Sequence, residues 1–192
     1  MARPRTVTDE AILAGAAAAV AALGPNDVTL AQIGERVGLS AATLLQRFGS
    51  KRGLLLALAR RGADTLPAHL AAARSAEQPV EALIEAYAGI AAQVRRSAEF
   101  ANHLAFLLLD LSDPEFRQIT RDYTLAIEAA ISTVLDAGGV TGPEAGGLAR
   151  AVHAAYNGAL ITWGMAGDGS PPAGHVRTQL RHVLRPWLAN RA

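Results

Sequence analysis

The sequence predicts an all-α fold of about nine helices: an N-terminal three-helix unit followed by a larger helical domain. Three observations carry this reading. Strand signals are nearly absent, because no stretch alternates apolar and polar residues with β-branched character over four to eight positions. Apolar residues instead recur at helical spacing along most of the 192-residue chain. Capping residues and Gly or Pro stops then punctuate that pattern at helix-length intervals.

Thr8 is the expected N-cap of a first helix, Asp9–Leu23, which Gly24-Pro25 closes. Thr29 opens a short second helix, with Gln32 three residues on as its capping-box partner, and Gly38 stops it. Ser40 caps a third helix ending near Phe48-Gly49. Ser50 caps a fourth that runs to about Arg74. The fifth extends from about Pro79 to Arg96, with Val80, Leu83, Ile84, Tyr87, Ile90 and Val94 on one face. The sixth, Glu99 to Leu111, is apolar nearly all round through Phe106, Leu107, Leu108 and Leu109, the pattern of a helix buried on all sides. Asp113-Pro114 begins the seventh, with Phe116, Ile119, Tyr123, Ile127, Ile131 and Val134 in register, and Gly138-Gly139 ends it. Glu144–Ala166 and Gly174–Asn190 are the last two, on either side of a Gly-, Ser- and Pro-rich connection.

Composition narrows the possible functions. With no cysteine, disulfide scaffolds and cysteine nucleophiles are excluded. Charged residues make up 18% and apolar ones 51%, which argues against disorder. Of the apolar residues, 42 are alanines, suited to helix seams. The longest mildly apolar run, Ala11 to Gly24, is too short for a bilayer span, and no secretion signal opens the chain, so a cytoplasmic protein without membrane contact is expected. The net charge of +1 averages over two uneven parts. Residues 1–61 hold eight Arg or Lys against four Asp or Glu, a balance of +4, whereas residues 62–192 hold ten against thirteen, a balance of −3. A basic head on an acidic body suggests that the head meets an anion.

The segment Thr29–Leu58 sharpens that suggestion. Two short helices meet across Gly38, with Ile33, Val37, Leu39, Leu44 and Phe48 as a shared inner face and Gly34 at the expected crossing. This is helix-turn-helix spacing, with the second helix placed to enter a major groove. Turning about 100° per residue from an inward Leu44 points Ala42 and Gln46 directly away from the core. These two are the base-edge candidates, since Gln can pair with adenine and an Ala methyl can touch that of thymine. Thr43 and Leu45 flank them, and Arg47 lies to the side, suited to a phosphate. Lys51, the chain's only lysine, follows Ser50 at a helix start, where free amides add to its charge. Arg3 and Arg5 form a short basic arm ahead of the first helix. With Thr29, Ser40 and Ala41 at the helix entries, these residues make up the expected DNA-facing set.

The run Val28 to Ser40, then Thr43-Leu44, Phe48-Gly49-Ser50-Lys51 and Leu54-Leu55, resembles the DNA-binding domain of the tetracycline-repressor-like (TetR) regulators. The match covers about residues 8–58; beyond residue 60 it is architectural. It departs from the family pattern at Leu45, where Tyr is usual, at Arg47, where His or Tyr is usual, and at Gly53, which replaces an acidic residue. The resemblance implies a DNA-binding domain over residues 1–58 and a helical effector-binding and dimerisation domain over residues 59–192. It implies a homodimer on a palindromic operator, a small-molecule effector, and no metal or other cofactor.

The dimer is expected through the last two helices. Leu148, Val152, Tyr156, Ala159 and Trp163 line one at helical spacing, and Val176, Leu180, Val183, Trp187 and Leu188 line the other. Gly146, Gly147, Gly158 and Gly164 would permit close approach. Arg177, Arg181 and Arg185 form a stripe expected to be a solvated face. The effector pocket is implied between the fifth and eighth helices, with Tyr87, Phe100, His103, Phe106, Tyr123, His153, Tyr156 and Asn157 as candidate lining. Such a lining suits an apolar effector with one or two hydrogen-bonding groups. An enzyme is disfavoured, because the phosphate-loop, nucleophile-elbow, zinc-protease and dinucleotide motifs do not occur. The alternative is a DNA-binding regulator whose body takes a protein partner or no small molecule.

Overall fold

The computed structural model describes residues 7–94, 96–142, 144–167 and 169–188. Among these residues there are nine α-helices and no strand: α1 (Asp9–Leu23), α2 (Leu30–Val37), α3 (Ala41–Phe48), α4 (Lys51–Ala71), α5 (Pro79–Ala91), α6 (Ser97–Ser112), α7 (Pro114–Ala137), α8 (Glu144–Ala166) and α9 (Pro172–Leu188). A short 3-10 turn, Ala72–Ser75, follows α4. The local start signals act as expected. Thr8 Oγ1 accepts from the Ala11 amide. The Thr29–Gln32 capping box closes in both directions, at 3.2 and 2.8 Å. Helix α5 ends at Ala91, short of Arg96. Its last turn tightens, with the Gln93 and Val94 amides bonding three residues back, to Ile90 and Ala91.

The chain forms two compact units. The first comprises Met1–Gly62 with Ala98–Thr120, and the second Ala63–Ser97 with Arg121–Ala192. This division differs from a cut at residue 58, because α6 and the start of α7 pack with the helix-turn-helix segment. Phe116, 2% exposed, shares a core with Ile12, Val28, Ile33, Leu44 and Leu54, and Phe106, Leu109 and Ile119 pack against it. The Phe106 and Phe116 rings meet edge to face at 5.9 Å. Helix α6 is therefore not buried on all sides. Phe106 and Leu109 turn inward, while Leu108 and Leu111, on the opposite side, are 63% and 69% exposed.

Ion pairs reinforce the same packing. Asp113 Oδ1 accepts from the Glu115 amide at 2.9 Å, capping α7. Both Asp113 oxygens also take a two-pronged bond from Arg52, at 2.8 Å each. Glu115 bridges Arg52, at 3.0 Å, and Arg60, at 2.7 Å. Residues 98–120 carry one Arg against four acidic residues, a balance of −3, which lowers the +4 of the preceding segment to +1 for the folded unit. The Arg52 guanidinium, aided by backbone donors, holds the Asp113 carboxyl down at about 2, from the usual 3.8. Because this pKa is lower in the folded state, the stabilisation is present above about pH 4 and is lost as pH falls toward 2. Thermal unfolding followed from pH 5 to 2 should show Asp113→Asn losing that part of the acid sensitivity. An unchanged pH profile would mean that the pair contributes nothing to stability.

In the second unit, α9 packs against α5 and α8. Leu83, Ile84 and Tyr87 of α5, Val152 of α8, and Val176, Leu180 and Leu184 of α9 are fully buried. Arg177 grips Glu85 with two prongs at 2.8 Å, and Arg181 pairs with Glu81. Numbers rising on α5 thus meet numbers falling on α9, so the two helices are antiparallel. The arginine stripe is accordingly not a free solvated face, since two of its three members tie α9 to α5.

Candidate nucleic-acid interface

Helix α2 leads into α3 through Gly38, whose left-handed backbone (φ 69°, ψ 33°) reverses the chain, and Ser40 then caps α3. The two helices cross closely at Gly34, where a Cβ would lie 2.4 Å from the Leu39 carbonyl oxygen. This close crossing and the fully buried Leu44 fix the rotation of α3. Ala42, Leu45 and Gln46 are exposed, Ala41 and Thr43 half-buried. The face expected to read base edges is therefore the open face.

The hydroxyls around α3 are occupied locally. Ser40 Oγ accepts from the Thr43 amide at 3.1 Å and lies 2.9 Å from the Thr43 hydroxyl. Ser50 Oγ accepts from the Gly53 amide at 2.9 Å. The glycine at position 53 has a steric cause, because a Cβ there would sit 2.1 Å from the Phe48 carbonyl oxygen. Two cations expected at phosphates also have partners within the chain. Lys51 Nζ donates to the Asn26 carbonyl at 2.6 Å. Arg47 donates from Nη1 to the Val7 carbonyl at 2.6 Å, and its Nη2 lies 2.6 Å from Asp9 Oδ1. Arg3 and Arg5 lie outside the described residues. Arg36, exposed in the last turn of α2, is a further cation of the helix-turn-helix segment that motif reading passed over.

The expected effector-lining residues fall in both compact units. In the first, Phe100 stacks on His103 with centroids 6.2 Å apart, and Phe106 packs into the core already described. In the second, Tyr87 is fully buried with its ring 4.5 Å from that of Tyr156. Its hydroxyl lies 3.3 Å from His153 Nδ1, and Asn157 Nδ2 lies 3.3 Å from His153 Nε2. Burial raises the phenol pKa of Tyr87 well above its ordinary value and pushes Tyr123 up to about 12. Burial also lowers that of His153, against the opposing pull of Glu128. The second unit has a groove of about 340 Å³ elsewhere, between the start of α5, Gly138 and Trp187-Leu188. None of the expected lining residues borders it.

The expected dimer residues are mostly inward. Val152, Val176 and Leu180 have no exposed surface in the single chain, Ala159 and Trp163 very little, and Leu148, Val183 and Trp187 are half-buried. The Trp163 indole donates to the Ser170 carbonyl at 2.6 Å. Opposite this buried face, α8 presents Gly147, Ala151, Ala154, Gly158, Ile161 and Met165 in one stripe, Met165 being 81% exposed. A Cβ at Gly147 or Gly158 would meet nothing within 4 Å. The sequence signal for this stripe was small residues recurring at helical spacing, which the larger Leu and Trp residues of the same helix overshadowed.

Residues 12–58 match the family model described as bacterial regulatory proteins, tetR family, and residues 74–186 match that of a tetracyclin repressor-like C-terminal domain. Among curated protein sequences nothing matches the chain. Among solved structures, a transcriptional regulator from Rhodococcus sp. Rha1 is similar with a TM-score of 0.75 at 23% identity, over 93% of this chain and 97% of that one. SmeT, the repressor of the Stenotrophomonas maltophilia multidrug efflux pump SmeDEF, is similar with a TM-score of 0.69 at 19% identity, over 94% and 90%. SmeT is also known as a triclosan complex. The fatty acid degradation regulator FadR from Bacillus halodurans is similar with a TM-score of 0.72 at 15% identity, over 96% of each chain. Among the described residues no helix is long and apolar enough to cross a membrane, and no three metal-binding side chains gather.

Proposed function

Because this chain belongs to the TetR family of bacterial regulatory proteins, we propose that it is a transcriptional repressor that binds a palindromic operator as a homodimer and is released by a small, mostly apolar effector. The observation that carries this is the open α3 face, with Ala42, Leu45 and Gln46 exposed over a rigidly seated Leu44. Residues 1–58 hold the DNA contacts and residues 59–192 the effector and dimer functions. The dimer joins through the outward stripe of α8, which is apolar and open to close approach. The Tyr87–Tyr156–His153–Asn157 cluster supplies an apolar wall with a few polar groups, suited to such an effector. Its ligand favours a dimer whose two reading heads are misplaced for the operator, so effector and DNA lower each other's affinity by one factor.

Titration of the cognate operator in rising salt tests this reading. The logarithm of affinity should fall steeply with the logarithm of salt concentration, and a flat response sinks the DNA claim. Gln46→Ala should relax base preference at one position, at about 1–3 kcal/mol, whereas Lys51→Ala should weaken all sequences alike. A monomer in sedimentation at working concentration would remove the dimer. A second reading, in which the body takes a protein partner or no small molecule, draws on the full burial of Tyr87 among its neighbours. Apolar compounds that leave the melting temperature unchanged would favour it.

A further inference from the structure

Resting on the reading of the first unit as a DNA reader, we propose that Asp9 is an internal stand-in for a DNA phosphate and that it restrains binding by holding Arg47. Arg47 is one of two departures from the family pattern on α3, and its fork is divided between two acceptors. Nη1 donates to the Val7 carbonyl at 2.6 Å, which orients the guanidinium. Nη2 reaches Asp9 Oδ1 at 2.6 Å. The Asp9 side chain is 64% exposed and that of Arg47 28%, so solvent and an incoming anion reach the pair. A carboxylate and a phosphate are both anionic oxygen acceptors for a guanidinium N–H, so one can take the place of the other at Nη2. DNA docking therefore hands Nη2 from Asp9 to a phosphate, while the bond to Val7 keeps the fork aimed. The exchange leaves Asp9 without its partner beside a polyanion. Asp9 is thus a positioning residue in the free protein and an opposing charge in the complex.

The test uses the full-length chain and a labelled duplex of arbitrary sequence, since phosphate contacts do not depend on sequence. Asp9→Asn should tighten binding about two- to five-fold at low salt, the range expected of an exposed ion pair, and less at high salt. In an Arg47→Gln background the same change should tighten binding less, because only the repulsion between Asp9 and the DNA is left to relieve and no cation is released. Thermal melts of each variant separate a loosened α1 from a change at the interface. Unchanged or weaker binding by Asp9→Asn overturns the proposal, as does equal tightening in both backgrounds, which would be plain charge repulsion. If the unaltered protein shows no salt-dependent binding, the DNA reading itself falls. That result is distinct from one in which the unaltered protein binds and Asp9→Asn is silent.

Discussion

Phe116→Ala is expected to destabilise the first unit by about 3–5 kcal/mol, the usual cost of removing a fully packed aromatic ring. Phe116 belongs to α7, far along the chain from the helix-turn-helix segment, yet it is 2% exposed within the core that holds Ile33 and Leu44. Its ring also meets Phe106 edge to face and lies 5.9 Å beneath the Arg52 guanidinium. The surrounding residues are held by helices on several sides, so a cavity there cannot collapse fully. Denaturant unfolding followed by circular dichroism measures the loss. DNA affinity should decline at temperatures where the second unit remains folded. A cost below about 1 kcal/mol would show that the segment around Phe116 merely rests on the head.

Gly34→Ala should have the second large effect, about 1–3 kcal/mol of overpacking and loss of specific DNA binding together. The added methyl would lie 2.4 Å from the Leu39 carbonyl oxygen and 3.5 Å from the Ala41 amide nitrogen. Both obstacles are backbone, so no rotamer change relieves the clash. The relief available is to move α3 away from α2, and that rotates Gln46 and Ala42 off their present face. Total helix content should barely change while operator discrimination falls. Unaltered discrimination would mean that α3 does not need its close crossing with α2 to read DNA.

The starts and stops of the helix-turn-helix segment were legible because each is encoded within four residues. Thr29 with Gln32, Ser40 with the Thr43 amide, and Gly38 in its left-handed turn are local chemistry, and all three form. The rotation of α3 was legible for the same reason, since one inward Leu44 fixes its neighbours by helical geometry. Amphipathic spacing shows that a helix has an inner face but does not name what covers it. Val176 and Leu180 read as a seam for a second chain, and within one chain they are spent on α5 and α8. Leu108 and Leu111 read as core, and they face solvent because Phe106 and Leu109 take the inward side. The pairing of Arg52 with Asp113 spans the sequence, and no spacing rule connects two such positions. The outward stripe of α8 was obscured because alanine and glycine give almost no amphipathic contrast.

The first unit is built from two separated stretches of chain, and this sets an order of events during synthesis. The helix-turn-helix segment leaves the ribosome first, but its core lacks Phe106, Leu109 and Phe116 until α6 and the start of α7 follow. The nascent head must wait, with apolar surface uncovered, while α5 passes. The same dependence governs any attempt to transplant DNA specificity. A head excised at residue 58 and joined to a foreign body arrives without its own lid and without the carboxylates that hold Arg52. A working graft has to bring residues 98–120 with it, or a body whose corresponding corner offers an equivalent ring and acid.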